Sequence, residues 1–138
     1  MTERYFFSSE TERVDRARVH QWLSEQSYWA QGRAREKQDA AIDASRNYGV
    51  YRIGSGEQVA YGRVVTDGIT FAWLCDVFVE TEVRGQGIGK MLAAGVMADL
   101  EPLELKRILL STGDAHGLYA QYGFSRLTEP SKMMARVR

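Results

Sequence analysis

Three glycines alternate in the segment Arg84-Gly85-Gln86-Gly87-Ile88-Gly89-Lys90, and this segment constrains the fold more than any other feature of the chain. It follows an apolar, strand-like stretch at 69–79 and precedes an almost wholly apolar stretch at 88–100 that predicts a buried helix. A helix N-terminus presents unpaired backbone N–H groups and a partial positive charge, and glycine lets an anion approach the backbone closely. The strand–loop–helix order therefore indicates a phosphate-binding site.

Two common phosphate-binding motifs do not fit this loop. If a Walker A loop is aligned on Gly89-Lys90, Arg84 takes the first glycine position and Met91 takes the position of the magnesium-binding hydroxyl. The dinucleotide fingerprint G-x-G-x-x-G fails because Lys90 or Leu92 would occupy its third glycine position. The sequence therefore argues against a P-loop NTPase and against a Rossmann dinucleotide-binding domain.

Charge and cysteine content exclude further classes. The chain has 18 Lys+Arg and 18 Asp+Glu, and each half of the chain is balanced by itself. A protein that follows nucleic-acid phosphates usually shows a basic excess, so no nucleic-acid partner is expected. The single cysteine, Cys75, cannot form an intramolecular disulfide or a multi-thiolate zinc site, and no metal is expected. No apolar run approaches the ~18 residues that span a bilayer, and the N-terminus is unlike a signal peptide, so we expect a cytoplasmic protein without a membrane partner.

The length of 138 residues is that of one domain, and we predict a single domain over residues 1–138. Hydrophobic periodicity and glycine punctuation predict strand, two helices, three meander strands, helix, strand, helix and a closing pair of strands. The predicted strands span 4–8, 48–53, 58–66, 69–79, 107–111, 124–127 and 133–137, and the predicted helices span 15–25, 34–45, 88–100 and 115–122. This order indicates an α+β fold with a mixed, mostly antiparallel sheet and a parallel step across the 88–100 helix.

Two motifs carry a resemblance to a known family. The loop at 84–89 matches Arg/Gln-x-x-Gly-x-Gly/Ala at every fixed position, and 79–85 keeps all but the proline of Val-x-Pro-x-x-Arg-Gly. The segment 112–124 matches Asn-x-x-Ala-x-x-Leu/Phe-Tyr-x-x-x-Gly-Phe, except that Thr112 replaces the asparagine; the matching residues are Ala115, Leu118, Tyr119, Gly123 and Phe124. With both motifs at the right separation, the chain resembles the GCN5-related N-acetyltransferase (GNAT) superfamily, in detail over residues 69–127.

The resemblance implies an acyltransferase that moves the acetyl group of acetyl-CoA to a primary amine by direct attack in a ternary complex. It implies an αβα-layered sheet flanked by about four helices, with backbone amides of the glycine loop around the CoA diphosphate and the end of the preceding strand at the acetyl carbonyl. The cofactor-binding residues expected on this basis are Val77, Phe78, Val79, Arg84, Gly85, Gln86, Gly87, Ile88, Gly89, Lys90, Thr112, Asp114 and Tyr119.

The catalytic residues expected are Tyr119, Asp76 and Glu80. The resemblance makes Tyr119 the proton donor to the CoA sulfur, and a phenol with a pKa of ~10 is protonated at neutral pH. The base is open between Asp76, Glu80, His116 and an ordered water chain. Asp76 lies inside an apolar run, where an unpaired carboxylate is costly, so it is either satisfied locally or functional. On an unbulged strand, one face would carry Ala72, Leu74, Asp76, Phe78 and Glu80.

The acceptor side is less constrained. Tyr28 and Trp29 lie between the first two predicted helices, where either substrate contact or core packing is possible. Arg33, Arg35 and Lys37 are expected on a solvated face, although they could attract an acidic substrate. Cys75 is expected in the core, because it alternates with the apolar residues Phe71, Trp73, Val77 and Val79. Direct attack by the amine also requires no enzyme nucleophile.

The sequence leaves the acceptor amine open between a small molecule, such as a metabolite or an aminoglycoside, and a peptide N-terminus or a protein lysine. A homodimer is possible, since dimers are common in the family that the chain resembles. The alternative function is a catalytically degenerate acyl-CoA sensor or an interaction module of the same fold, because the missing proline and Thr112 depart from the family pattern.

Overall fold

The computed structural model describes residues 4–138. Within this range the chain forms a five-stranded sheet and four α-helices. The elements, in chain order, are β1 (Tyr5–Ser8), α1 (Arg16–Gln21), α2 (Arg35–Asp43), β2 (Arg46–Arg52), β3 (Gln58–Thr66), β4 (Phe71–Val79), α3 (Ile88–Leu100), β5 (Arg107–Leu110) and α4 (His116–Ala120). A π-type segment at Trp22–Gln26 extends α1, and short 3₁₀ turns lie at Thr11–Arg13, Thr81–Val83, Glu101–Leu103 and Pro130–Lys132.

The sheet has the strand order β1-β2-β3-β4-β5. The first three pairings are antiparallel, whereas β4 and β5 run parallel, with Phe71 opposite Arg107 and Leu74 opposite Leu110. Parallel neighbours need a long crossover, and α3 lies in the segment that connects them. The predicted α+β class and the mixed, mostly antiparallel sheet with one parallel step are confirmed.

Polar side chains mark two of the element boundaries. Asp15 caps α1, because its carboxylate accepts a hydrogen bond from the backbone N–H of Arg18 at 3.1 Å. Asp67 accepts hydrogen bonds from the backbone N–H groups of Ile69 and Thr70, at 2.9 and 2.8 Å. This turn holds residues 69–70 outside the ladder, so β4 begins at Phe71 and not at the predicted residue 69.

Helices cover both faces of the sheet. On one face, α3 buries an apolar stripe formed by Ile88, Leu92, Val96 and Leu100 in one core cluster with sheet residues such as Val64. On the other face, α1, its π-type extension and α2 bury Val19, Trp22, Leu23 and Ile42 together with Tyr61. The predicted αβα layers with about four helices are therefore confirmed.

A bulge in β4 changes which side chains share a face. Cys75 stands opposite Arg63 of β3, but Phe78 stands opposite Tyr61, so β4 holds one residue more than β3 between these pairs. Asp76 lies in this bulge with a φ of 53°, which is left-handed backbone that residues other than glycine rarely adopt.

The side chains before and after the bulge belong to different cores. Ala72 and Leu74 pack in the cluster with α3, whereas Phe78 packs in the opposite cluster, where its ring lies 5.5 Å from that of Trp22. The expectation of one shared face from Ala72 to Glu80 assumed an unbulged strand and is wrong for this reason.

The C-terminal segment differs from the prediction. Within residues 4–138 no strand follows β5, so the closing strands predicted at 124–127 and 133–137 are not formed. Met134 is 95% exposed and Val137 is 87% exposed, so these apolar side chains do not pack on the sheet. The prediction of a closing strand pair is wrong.

Candidate active site

A cavity of about 840 Å³ opens where β4 and β5 separate. The pairing of these strands ends at Leu74 and Leu110, while β4 continues to Val79. One wall is the bulged half of β4 with the glycine loop and the start of α3. The opposite wall is the segment 110–115 with Leu118 and Tyr119, and residues of the α1–α2 connection lie across both.

The glycine loop lines part of this cavity and contains free backbone donors. Gly85 and Gly87 have φ values of 85° and 80°, and Gly87 is the N-cap of α3. A Cβ at either position would meet no atom within 4 Å, so the left-handed backbone and not crowding calls for glycine there. No acceptor among residues 4–138 takes the backbone N–H groups of 85–90. An array of free N–H groups at a helix N-terminus fits a diphosphate.

Arg84 fixes the loop to the end of β4. Its Nε donates to the carbonyl of Val79 at 2.9 Å, and its guanidinium lies 5.3 Å from the ring centre of Phe78. These contacts place a cation beside the free amides. Arg84, Val79 and Phe78 all line the cavity, together with five other residues that the sequence assigned to cofactor binding: Val77, Gly85, Gly87, Ile88 and Gly89.

Tyr119 is buried on the wall opposite β4. Its ring packs edge-on against Phe124, with centroids 5.8 Å apart. Burial raises the pKa of Tyr119 above the usual tyrosine value, and the negative charge of Asp114 raises it further. The phenol is therefore held in its protonated form, as a proton donor requires. Thr112 and Asp114 line the same wall, and Thr112 accepts a hydrogen bond from the backbone N–H of Ala115 at 3.0 Å through its hydroxyl.

Asp76 is only 4% exposed and is held by three side chains. Its Oδ2 accepts from Nη1 of Arg33 at 2.8 Å and from Nε of Arg63 at 2.9 Å, and its Oδ1 accepts from the indole of Trp29 at 3.1 Å. Burial by itself raises the pKa of Asp76, but the hydrogen bonds and charges of the two arginines outweigh it and hold the pKa below the usual value. The carboxylate therefore stays ionised.

Arg33 was expected on a solvated face, and this expectation is wrong because the side chain turns into the cavity wall to reach Asp76 and is only 20% exposed. Arg35 and Lys37 do lie on an exposed face.

Cys75 was expected in the core but is half-buried and lines the cavity, where burial raises the pKa of its thiol to about 11. At neutral pH the thiol is protonated, which makes it a poor nucleophile.

Four of the predicted or alternative site residues do not line the cavity: Glu80, Gln86, Lys90 and His116. Glu80 accepts from the indole of Trp22 at 2.6 Å and from Arg18 at 3.3 Å, on the face of α1. Gln86 accepts from the hydroxyl of Tyr5 at 3.0 Å.

Sequence reasoning missed several residues of the cavity wall, among them the side chains of Arg63, Trp73 and Ser111. A signal was present for Arg63, since it is the only charged residue of a mostly apolar strand.

Tyr28 and Trp29 line the cavity and remain exposed, at 80% and 44%. Their rings meet edge to face with centroids 5.0 Å apart. The hydroxyl of Tyr28 lies 3.9 Å from the position that a Cβ on Gly113 would occupy, so the α1–α2 connection reaches across to the loop after β5. Their exposure does not fit core packing, one of the two alternatives that the sequence left open.

Residues 4–138 contain no group of three or more His, Cys, Asp or Glu side chains placed to bind a metal ion. Over the same range, no helix combines the length and the apolar character that a membrane crossing requires.

Comparisons with known proteins agree with this geometry. Residues 14–124 match the family described as the acetyltransferase (GNAT) family, and the chain belongs to this family. A Gibberella zeae protein whose name assigns it to the acetyltransferases is 35% identical over 72 residues, which cover 51% of this chain and 41% of that protein. The chain thus spans about two fifths of the length of this curated relative.

Solved structures show the same fold. A GNAT-family protein from Xanthomonas campestris pv. campestris superposes with a TM-score of 0.90 at 39% identity, covering 98% of this chain and 94% of that chain. The Mycobacterium tuberculosis protein Rv2747, solved in complex with CoA, superposes with a TM-score of 0.72 at 16% identity, covering 88% of this chain and 72% of that chain.

Proposed function

We propose that this protein is an N-acetyltransferase that moves the acetyl group of acetyl-CoA to a primary amine, on a small molecule or a peptide, by direct attack within a ternary complex. One observation carries the proposal: the free amides of the glycine loop and the hydroxyl-bearing Tyr119 line the same cavity, at the point where β4 and β5 separate. Membership of the GNAT family supports acetyl-CoA as the donor.

The chain offers three kinds of group to the donor. Backbone N–H groups of 85–90 would hold the diphosphate, with Arg84 as an adjacent cation. Backbone N–H groups of 77–79 would polarise the acetyl carbonyl, and Thr112 and Asp114 would line the opposite side. Acetyl-CoA itself supplies an acetyl group activated as a thioester.

Tyr119 is the proposed proton donor to the departing thiolate, since its raised pKa keeps it protonated. Removal of the amine proton needs a different group. Asp76 lines the cavity, but a carboxylate with a lowered pKa is a weak base, and Glu80 lies outside the cavity. We therefore assign proton removal to ordered water and give Asp76 a positioning role towards Arg33 and Arg63.

The experiment compares Tyr119→Phe with Tyr122→Phe. The Tyr122 hydroxyl donates to the carbonyl of Lys90 and does not line the cavity, so it is a matched control three residues away. With a panel of primary amines and acetyl-CoA, thiol release by Tyr119→Phe should fall by roughly 10²–10⁴-fold in kcat, and Tyr122→Phe should stay near wild type. Calorimetry should show both variants still binding CoA.

Two outcomes would change the proposal. A wild-type rate for Tyr119→Phe on a good acceptor would remove Tyr119 as the acid. CoA binding by the wild-type protein without turnover of any amine would favour the acyl-CoA sensor instead.

A further inference from the structure

We propose that the acceptor amine also carries a carboxylate, and that Arg33 and Arg63 bind this carboxylate in the half of the cavity away from the glycine loop. The inference rests on the proposed function, since it names the acceptor class for the same cavity. It starts from the charges of the lining residues in that half, which are Arg33, Arg63 and Asp76. Two guanidinium groups face one carboxylate, so one positive charge is left without a counterion.

The two guanidinium groups are held in place by hydrogen bonds, but not all of their N–H donors have an acceptor. Besides Asp76, Arg63 donates through Nη1 to the hydroxyl of Ser45 at 3.1 Å, and Arg33 donates through Nη1 to the side-chain carbonyl of Gln38 at 2.9 Å. In the described part of the chain, Nη2 of Arg63 and Nε of Arg33 have no acceptor, and neither atom is among the fully buried donors without a partner, while both side chains line the cavity. Fixed, planar guanidinium donors match a carboxylate.

The backbone of Asp76 supports a role beyond packing. A non-glycine residue with a φ of 53° in the middle of a strand is strained and persists only when its surroundings hold it there. The bulge brings this carboxylate to Arg33 from the α1–α2 connection and to Arg63 from β3, elements that are distant in sequence. The carboxylate thereby orients both arginines toward one cavity.

Aromatic rings beside the arginines indicate the rest of the ligand. Asp76 fixes the indole of Trp29 through the bond to Nε1, and Tyr28 and Trp73 add further ring surface to the lining. Trp29 keeps almost half of its surface exposed. Flat apolar surfaces next to a cation favour an amine with an aromatic or apolar body and an acidic group, as in a free amino acid.

The test uses three pairs of amines that differ only by a carboxylate: L-phenylalanine and 2-phenylethylamine, L-tryptophan and tryptamine, L-leucine and 3-methylbutylamine. Acetylation is measured at saturating acetyl-CoA. The wild-type protein should prefer the acid of at least one pair by roughly tenfold in kcat/KM, mainly through KM. Arg33→Lys and Arg63→Lys keep the charge but lose the planar fork, and each should lose most of this preference.

Arg35→Lys is the matched control, because the Arg35 guanidinium is exposed on α2 and pairs with Asp39 outside the cavity. It should keep the wild-type preference. The change of the ratio between wild type and variant cancels the different basicities of the two amines. A wild-type protein that prefers the amine without a carboxylate in all three pairs, or a preference that survives in both cavity variants, would overturn the proposal.

Equilibrium binding separates this proposal from the proposed function. N-acetyl-L-phenylalanine and N-acetyl-2-phenylethylamine are titrated into the wild-type protein with and without CoA, with tryptophan fluorescence as the readout. Tighter binding of the acid, lost in Arg63→Lys, supports the carboxylate site even where no amine turns over. Equal binding overturns it. Failure of CoA to bind would defeat the proposed function alone, because the titration without CoA still measures the carboxylate site.

Discussion

At the scale of single residues, Asp76 makes stability depend on acid pH. Its pKa lies below the usual carboxyl value in the folded chain, since Arg33 and Arg63 outweigh the opposite effect of burial. A carboxyl whose pKa is lower in the folded than in the unfolded state contributes stability above the unfolded pKa of ~3.9, and this is lost as pH falls through the folded pKa. The free energy of unfolding of the wild-type chain should therefore fall below about pH 4.

The variant Asp76→Asn should be less stable than wild type at pH 7 by about 3 kcal/mol, because two partly buried arginines lose their counterion. The difference should shrink as the wild-type carboxyl becomes protonated. Urea unfolding between pH 7 and pH 2.5 or so measures it. The same stability difference at both ends of this range would contradict the lowered pKa.

The cluster around Asp76 also shows what the sequence did not reveal. Tyr119 could be predicted because the motif that marks it consists of residues that are close together along the chain. The structure places it on the cavity wall. Arg33 was assigned to a solvated face because its partner Asp76 is 43 residues away, and no local pattern specifies such a pair. The bulge that aims Asp76 arises from pairing with β3, which is likewise not local.

At the scale of elements, the start of α3 depends on the backbone of Gly87. A side chain at a φ of 80° costs about 1–2 kcal/mol, so Gly87→Ala should shift the loop and misdirect its free N–H groups. The KM for acetyl-CoA should rise roughly tenfold, and calorimetry should show the same loss for CoA. Gly117→Ala in α4 is the control, because Gly117 has open space around it and no left-handed backbone. Unchanged CoA affinity in Gly87→Ala would contradict the proposal that the glycine loop binds the CoA diphosphate.

The elements that were predicted well are those with local determinants. The glycine loop and α3 could be predicted from signals within one short segment, which are the alternating glycines and the helical periodicity of the apolar residues. The helix α3 occupies the predicted residues 88–100. The closing strands predicted at 124–127 and 133–137 are not formed. A strand needs a partner strand to pair with, and the sequence of the segment alone does not specify that partner. Met133 and Met134 are adjacent, so they do not alternate as one buried face of a strand requires.

At the scale of the whole molecule, a chain of zero net charge contains a cavity with a local excess of positive charge. Arg33, Arg63 and Arg84 line it against only two carboxylates, Asp76 and Asp114, and the free amides at the start of α3 add partial positive charge. This local excess would allow a neutral chain to bind the anionic donor and the acidic acceptor proposed above without a basic surface. The strand β4, which lines this cavity, packs against the helices on both faces of the sheet, because it contributes side chains to both cores.

The hypothesis of a single domain predicts that both layers unfold together. Leu23 and Leu92 are fully or almost fully buried in opposite cores, so Leu23→Ala and Leu92→Ala should each cost about 2–5 kcal/mol. Helical circular dichroism and tryptophan fluorescence should give coincident urea transitions for both variants. Leu127→Ala, at an exposed leucine, should stay within about 0.5 kcal/mol of wild type. If Leu23→Ala loses tryptophan fluorescence before helical dichroism, the α1–α2 layer unfolds separately and the single-domain hypothesis fails.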